Sequence, residues 1–148
     1  MREILFRGKN VDNGAWVYGS FIPDMLEVFC ITDIDGFIKP FSLNKEELTE
    51  VRVERSTVGQ FTGLTDKNGT KIFEGDIIKI IDGEKIFIAS VKFGDYNQPD
   101  KILKTHIGFY FDIANLASYR KDMGYWFGKT FSEIEVIGNI HDNPELLK

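Results

Sequence analysis

The chain has 148 residues, with 18 Lys or Arg against 23 Asp or Glu, so its formal net charge is −5. Apolar residues make up 43% of the sequence, which is too many for a disordered chain, and no apolar run is long enough to span a membrane. An acidic chain without a basic tract is a poor candidate for tight duplex binding, which depends on phosphate neutralisation. Cys30 is the single cysteine, which excludes an internal disulfide and any multi-cysteine zinc site.

At the N-terminus, Arg7 ends the apolar run after three residues, so the sequence predicts no signal peptide and a cytoplasmic protein. The first hairpin is expected around Asn13-Gly14, because both residue types tolerate positive φ in a tight turn. A second pair of strands is expected at 28–32 and 37–41, on either side of a turn at residues 33–36.

The middle of the chain begins with Asn44 and Glu47, a capping-box pattern that predicts one or two helical turns. From residue 58 the strand signals become dense, and Asn68-Gly69 and Asp82-Gly83 predict two further hairpin turns. In residues 85–93 apolar residues alternate, so one face of this strand carries Phe87, Ala89, Val91 and Phe93.

The last third of the chain contains two more predicted strands, at 104–111 and 134–140. Residues 112–120 between them fit either a short helix or an irregular insertion. Residues 143–147 begin with an Asn and a first-turn Pro, and they predict a brief terminal helix.

Short strands joined by tight Gly turns favour a small barrel or a pair of curled sheets. Residues 74–78, Glu-Gly-Asp-Ile-Ile, are typical of SH3-like barrels, where a glycine admits a bend before β-branched core residues. We therefore expect a mainly β or α+β fold with one or two short helices. An N-terminal β segment at 1–56 would pack on a C-terminal SH3-like barrel at 57–148, which carries a short insertion near 94–124.

Three stretches resemble the YopX family, small proteins encoded by bacteriophages and prophages. They are residues 6–9 with 16–19, residues 57–77, and residues 135–146. The resemblance implies a mainly β fold with an SH3-like barrel in the C-terminal part, and a location in the cytoplasm of the bacterial host. It implies no activity and no site residues, because the family has no established biochemical function. Residues 30–55 and 85–128 lie outside the resemblance, so the family implies nothing about them.

Two fragments imitate calcium-binding loops, and both lack the required ligands. Around residues 33–36, an EF-hand would need an acidic residue at position 31 and Glu at position 42, where the chain has Ile31 and Ser42. Around residues 66–69, the same two positions hold Leu64 and Gly75. Asp and Gly are the residues that tight turns require, so we interpret both fragments as turns.

Other motif fragments are incomplete. Residues 128–130, Gly-Lys-Thr, lack the earlier glycine of a phosphate-binding loop, because position 123 is Met. His106 and His141 are far apart in sequence and have no carboxylate at ligand spacing. The pair His141-Asp142 suits proton transfer, but a turn before Pro144 is the preferred interpretation. Cys30 lies in an apolar stretch and is interpreted as a buried small hydrophobe.

The carboxylates Asp66, Glu74 and Asp76 are the principal candidate site, since they could converge at one end of a hairpin. Carboxylates held together bind a cation or raise one another's pKa. The alternative is that Glu74 and Asp76 support a turn at a barrel corner, and the sequence leaves both interpretations open.

The aromatic residues are the second candidate site, because there are more of them than the core of a small barrel needs. The cluster comprises Phe109, Phe111, Tyr119, Tyr125, Trp126 and Phe127. In a groove these side chains could stack on bases or anchor a peptide, and otherwise they fill the core or a subunit interface. Scattered lysines would serve a nucleic-acid groove: Lys79, Lys85, Lys92, Lys101 and Lys104.

The sequence therefore supports three hypotheses. The leading one is a non-enzymatic phage or prophage accessory protein that binds a host or phage protein and forms a homo-oligomer. The second is a single-stranded nucleic-acid binder, which the net negative charge disfavours. The third is a metal-dependent hydrolase that uses Asp66, Glu74 and Asp76. The leading hypothesis assigns no catalytic, cofactor-binding or metal-binding residue and no cofactor.

Overall fold

A computed structural model describes residues 3–23, 29–33, 49–97, 105–114, 120–129 and 132–148. The predicted strand at 37–41 and the capping box of Asn44 and Glu47 lie outside these residues. So does most of the segment at 112–120 for which a helix or an insertion was expected.

The described residues form eleven strands, one α-helix and two short 3-10 helices. The strands are β1 (Phe6–Lys9), β2 (Trp16–Pro23), β3 (Phe29–Asp33), β4 (Thr49–Val53), β5 (Gly59–Thr65), β6 (Lys71–Phe73), β7 (Asp76–Asp82), β8 (Lys85–Asn97), β9 (Thr105–Ile113), β10 (Arg120–Asp122) and β11 (Ser132–Asn139). The helix α1 is Met123–Phe127, and the 3-10 helices are Arg55–Thr57 and Pro144–Leu147. The predicted terminal helix is therefore a 3-10 helix. Within this part of the chain, no helix is long and apolar enough to cross a membrane.

The strands form two antiparallel sheets, in the orders β4-β3-β2-β1-β5-β6 and β10-β9-β8-β7-β11. The mainly β prediction is confirmed. No pairing among the described residues closes either sheet into a barrel, so the SH3-like barrel is not confirmed.

The three predicted hairpin turns are found. Gly14, Gly69 and Gly83 have φ of +70°, +83° and +62°, a region that favours glycine. In the first turn the side-chain oxygen of Asn13 accepts a hydrogen bond from the Ala15 N–H at 2.9 Å. In the third, Asp82 pairs with Lys85, so two residues connect β7 to β8.

The chain divides into two compact units, Met1–Phe61 and Thr62–Lys148. In the first unit, β1 pairs with both β2 and β5. Arg7 is buried, and its guanidinium carbon lies 4.7 Å from the centre of the Trp16 ring. The Lys9 N–H donates to the Thr57 hydroxyl at 2.8 Å, which ties β1 to the first 3-10 helix.

In the second unit the core lies on one face of the five-stranded sheet and beneath α1. Ala89 and Val91 of β8 are fully buried opposite Ile113 and Phe111 of β9, as the alternating pattern predicts. The core cluster is Ile72, Ile78, Ile80, Ala89, Val91, Phe111, Ile113, Met123, Trp126 and Ile134. Helix α1 contributes Met123 and Trp126, which are three residues apart and so share one helix face.

Candidate functional site

Asp66 organises the turn between β5 and β6. One carboxylate oxygen accepts hydrogen bonds from the N–H groups of Asn68 (2.8 Å) and Thr70 (2.9 Å). Asp66 also donates its own N–H to the Thr70 carbonyl at 2.9 Å. The turn predicted from Asn68-Gly69 is thus built around the carboxylate of Asp66, a residue that is only 7% exposed.

The same turn lies along the outer edge of β11. The second carboxylate oxygen of Asp66 accepts from the Val136 N–H at 3.0 Å, and the Lys67 N–H donates to the Ile134 carbonyl at 3.0 Å. The Lys67 ammonium lies 3.2 Å from the Glu133 carboxylate and 3.1 Å from that of Glu135. Asp66 and Lys67, hereafter the edge turn, therefore occupy backbone groups that a further strand would otherwise use.

The charges of the edge turn follow from these contacts. Burial alone would raise the pKa of Asp66, but the N–H donors of Val136, Thr70 and Asn68 outweigh it and hold this pKa below 3.8. Hydrogen bonds to Glu135 and Glu133 raise the pKa of Lys67 above its usual value. Asp66 is therefore an ionised acceptor of backbone hydrogen bonds at neutral pH.

The structure does not assemble the predicted carboxylate site. Asp76 is buried and accepts a hydrogen bond from the Phe73 N–H at 2.7 Å, across the turn that contains Gly75. Asp66 instead binds β11 and its own turn. All three carboxylates, Glu74 included, lie in the described part of the chain, where no group of three His, Cys, Asp or Glu side chains could hold a metal ion. The hydrogen bond from Phe73 supports the turn interpretation of Asp76.

His141 and Asp142 lie in a turn that Asn139 organises. The side-chain oxygen of Asn139 accepts from the N–H groups of His141 (3.0 Å) and Asp142 (2.9 Å), and its amide donates to the Asp142 carboxylate (2.9 Å). Gly138 precedes this turn because a Cβ there would lie 2.6 Å from the Asn143 side-chain oxygen. The turn interpretation is confirmed.

We expect Asn139→Ala to lower the free energy of unfolding by about 1 to 2 kcal/mol, because two backbone N–H groups lose their acceptor. Urea denaturation of the purified variant would measure this loss. Glu145→Ala, at an exposed position of the neighbouring 3-10 helix, serves as the control with an expected change within about 0.5 kcal/mol. Equal effects of the two substitutions would show that Asn139 does not organise the turn.

The remaining isolated candidates form no catalytic arrangement among the described residues. The His106 ring stacks on the Tyr96 ring, with the two centroids 5.4 Å apart. Gly128 and Lys129 follow helix α1 rather than precede a helix, so they lack the context of a phosphate-binding loop. Cys30 belongs to β3, but its side chain is not among those that the structure describes.

The aromatic cluster divides into core and surface residues. Phe111 and Trp126 are fully buried, whereas Tyr125 and Phe127 are more than one-third exposed. Phe109 is half-buried against the core, and Tyr119 lies outside the described residues.

In the described part of the chain, two lysines near the candidate residues are paired with carboxylates. The Lys129 ammonium pairs with the Asp82 carboxylate and lies 4.9 Å from the Tyr125 ring centre. This pairing raises the pKa of Lys129 and lowers that of Asp82. Lys92 pairs with Asp112, and Lys79 lies opposite Glu135 on the neighbouring strand. Lys85 is exposed at the β7–β8 turn, and Lys101 and Lys104 lie outside the described residues.

Strands β8 and β9 continue beyond their neighbours in the sheet. Pairing of β8 with β7 covers residues 85–90 of β8, and pairing of β9 with β10 covers residues 110–112 of β9. The β8–β9 pairing itself continues to Asn97 and Thr105. Residues 91–97 of β8 and 105–109 of β9, hereafter the β8–β9 extension, thus pair with each other and with no other strand of the described part of the chain.

One face of the β8–β9 extension carries exposed apolar residues, with Asp95 beside them. Phe93 and Phe109 are cross-strand partners whose ring centres lie 5.0 Å apart in an edge-to-face arrangement. Phe93 is 53% exposed, and Ile107 is 75% exposed. These residues continue the face that carries the buried Val91 and Phe111. The alternating pattern placed Phe93 on this face, but only the pairing shows that the neighbouring strands end before it.

Comparisons with known proteins agree with this architecture. The crystal structure of protein EF1440 from Enterococcus faecalis matches over 100% of both chains, with a TM-score of 0.53 and 20% sequence identity. At that identity the likeness concerns the fold alone. No curated protein matches the chain. The model of the YopX family, described as YopX protein, matches residues 5–148, which is nearly the whole sequence. The chain therefore belongs to the YopX family.

Proposed function

We propose that the protein is a non-enzymatic protein-interaction module, a phage or prophage accessory protein that acts in the bacterial cytoplasm. Its docking surface is the apolar face of the β8–β9 extension, formed by Phe93, Phe109 and Ile107. The exposure of Ile107 (75%) beside the Phe93–Phe109 pair is the observation that carries this proposal.

Solvent exposure of this face is unfavourable, which supports a bound partner. Aromatic side chains contribute more to interface energies than any other apolar residues, and two adjoining rings form a typical binding centre. A partner that covers the apolar face would stabilise the extension and bury the rings together.

The distribution of charge favours a protein partner over a nucleic acid. Lys92, the lysine within the extension, already pairs with Asp112, and Asp95 places a carboxylate beside Phe93. A single-stranded nucleic acid would require free cations along its backbone. Lys67, Lys92 and Lys129 are each paired with a carboxylate.

The test is an affinity pull-down of tagged protein from host and phage-infected lysates, with and without nuclease. We compare the unmodified chain with the double variant Phe93→Ser, Ile107→Ser and with the control Ile86→Ser. Ile86 is 61% exposed but lies at the β7–β8 turn, away from the extension. The double variant is expected to reduce recovery of partners about tenfold or more.

The control is expected to retain those partners, and thermal unfolding confirms that each variant is folded. Partners that disappear with nuclease would favour the nucleic-acid hypothesis. Equal recovery by the double variant and the unmodified chain would refute the proposed docking surface.

A further inference from the structure

A cavity of about 280 Å³ lies along β11 in the second unit and opens to solvent. It is lined by residues 65–67, which include the edge turn, by residues 132–134 at the start of β11, and by Phe127 of α1. Cavities that hold drug-sized ligands measure about 300–1,000 Å³, so this cavity suits a smaller molecule. It lies on a different strand from the β8–β9 extension, so a ligand bound here is separate from the proposed docking surface.

Phe127 and Ile134 give the cavity an apolar lining. Phe127 is 36% exposed, whereas Ile134 is buried and belongs to the core cluster. An exposed aromatic ring beside a concave surface offers a ligand a flat apolar contact. A ligand of this cavity would therefore have an apolar body.

The charged side chains of the cavity select the ligand further. Among the described residues that line it, Asp66 and Glu133 are negative and Lys67 is positive. The Asp66 carboxylate is engaged by three backbone N–H groups. The Lys67 ammonium is divided between Glu133 and Glu135, at 3.2 Å and 3.1 Å. One lysine thus serves two carboxylates beside the cavity.

Glu133 is the carboxylate of this pair that a ligand would meet. Glu135 lies opposite Lys79 on β7, so a second cation is near it, whereas Glu133 lies opposite Ile81. The Glu133 side chain is 61% exposed and lines the cavity. A positive group of the ligand would approach this carboxylate on the same side as the Phe127 ring.

The aromatic rings of α1 already attract a cation. The Lys129 ammonium lies 4.9 Å from the centre of the Tyr125 ring and 5.1 Å from that of the Trp126 ring. The face of an aromatic ring is electronegative, which favours such contacts. Phe127 offers the same kind of face to a cation that enters the cavity.

We propose that this cavity binds an organic cation, an ammonium or guanidinium group carried on an apolar body. The cationic group would lie beside Glu133, and the apolar body would contact Phe127 and Ile134. Such a group is supplied either by a free small amine or by the Lys or Arg side chain of a protein partner. The recognition chemistry is the same for both sources.

Titration of the isotope-labelled protein with phenethylamine, followed by the NMR signals of its backbone amides, tests this site. We expect the amides of Lys67, Ser132 and Glu133 to shift, with a dissociation constant on the order of 1 mM for so small a ligand. Phenethyl alcohol has the same apolar body without the charge. It is expected to bind about fivefold more weakly or less.

Two substitutions of opposite charge separate a cation site from a merely apolar cavity. Glu133→Gln should weaken phenethylamine binding about fivefold, whereas Glu84→Gln, the same change at the exposed β7–β8 turn, should alter it less than about twofold. Lys67→Met should strengthen binding about two- to threefold, because it removes the competing ammonium and keeps the backbone bond from residue 67 to Ile134. All three residues are exposed, so the variants should fold.

The aromatic contact has its own matched pair of variants. Phe127→Leu should weaken binding about threefold or more, because it removes the ring and keeps an apolar side chain. Tyr125→Leu changes the other exposed ring of α1, which does not line the cavity, and should leave the affinity within about twofold.

The two sources of the cation are distinguished with capped amino acids. Nα-acetyl-lysinamide and Nα-acetyl-argininamide carry their charge on the side chain alone. If they shift the same amides and depend on Glu133, the site accepts a side chain of a partner protein. If phenethylamine alone binds, the ligand is a free small amine.

Equal affinity for phenethylamine and phenethyl alcohol, or an unchanged affinity with both Glu133→Gln and Lys67→Met, would overturn the assignment to an organic cation. Unshifted amides at residues 65–67 and 132–134 with about 20 mM phenethylamine would overturn the site itself. Phenethylamine binding should be unaffected by the double variant Phe93→Ser, Ile107→Ser. The cavity and the proposed docking surface can therefore fail independently.

Discussion

Replacement of Asp66 by Asn is expected to lower the free energy of unfolding by about 2 to 3 kcal/mol at neutral pH, a range typical of buried hydrogen bonds to a charged group. The Asn oxygen can still accept from Asn68 and Thr70 within the turn. Its amide group, however, would face the Val136 N–H, so two donors would meet where the carboxylate now accepts at 3.0 Å. Urea denaturation at pH 7 measures the loss, and Glu84→Gln at the exposed β7–β8 turn is the control.

The effect of Asp66→Asn should depend on pH. The pKa of Asp66 is lower in the folded protein than its usual value of 3.8, so the ionised carboxylate stabilises the fold at pH values above about 4. This contribution is lost as the pH falls through the lowered pKa, because a protonated carboxyl resembles the amide. The difference in unfolding free energy between the two proteins should therefore shrink below pH 4. A difference that stays constant down to pH 2 would contradict the assigned role of the charge.

Trp126→Ala is expected to cost about 3 to 5 kcal/mol, because this side chain is only 1% exposed within the core cluster. Tyr125→Ala, one residue earlier on the exposed side of α1, should cost less than about 1 kcal/mol. Chemical denaturation followed by circular dichroism measures both. A larger loss of stability for Trp126→Ala than for Tyr125→Ala would show that the aromatic cluster contains both core and surface residues.

Trp126→Phe provides a second measurement if Trp126→Ala does not fold. The indole nitrogen of Trp126 is buried and has no hydrogen-bonding partner among the described residues. Removal of an unpaired donor offsets part of the lost packing, so we expect a cost of about 1 kcal/mol. A larger loss with Tyr125→Ala than with Trp126→Ala would contradict the assignment of Trp126 to the core.

Local chemistry made the turns predictable from the sequence. Gly14, Gly69 and Gly83 have positive φ. Each is preceded by Asn or Asp, and such Asn-Gly and Asp-Gly dipeptides predict a hairpin turn because they tolerate this conformation. The turn at His141 and Asp142, before Pro144, was also predicted from the sequence. Helix α1 was not predicted, because five residues are too few to display a helical period.

Non-local pairing explains what the sequence could not predict. The bond from Val136 to Asp66 joins residues 70 positions apart, so the turn was predictable but its position on β11 was not. Asp66 and Asp76 are close in sequence, yet each carboxylate binds a different backbone segment, and no shared site results. The length of β8 beyond β7 depends on where a neighbouring strand ends, and the alternating pattern of β8 contains no such information.

The edge turn has a consequence for solubility. Many proteins protect a sheet edge with proline, a bulge or a lysine that works at any ordinary pH. Here the Asp66 carboxylate occupies the Val136 N–H, and this part of the protection of β11 weakens when Asp66 is protonated. The Lys67 N–H bond to the Ile134 carbonyl does not depend on pH, so in acid it is the Val136 N–H that becomes available to strands of other molecules. Resistance of this protein to strand-mediated aggregation is therefore tied in part to the ionisation of one buried side chain.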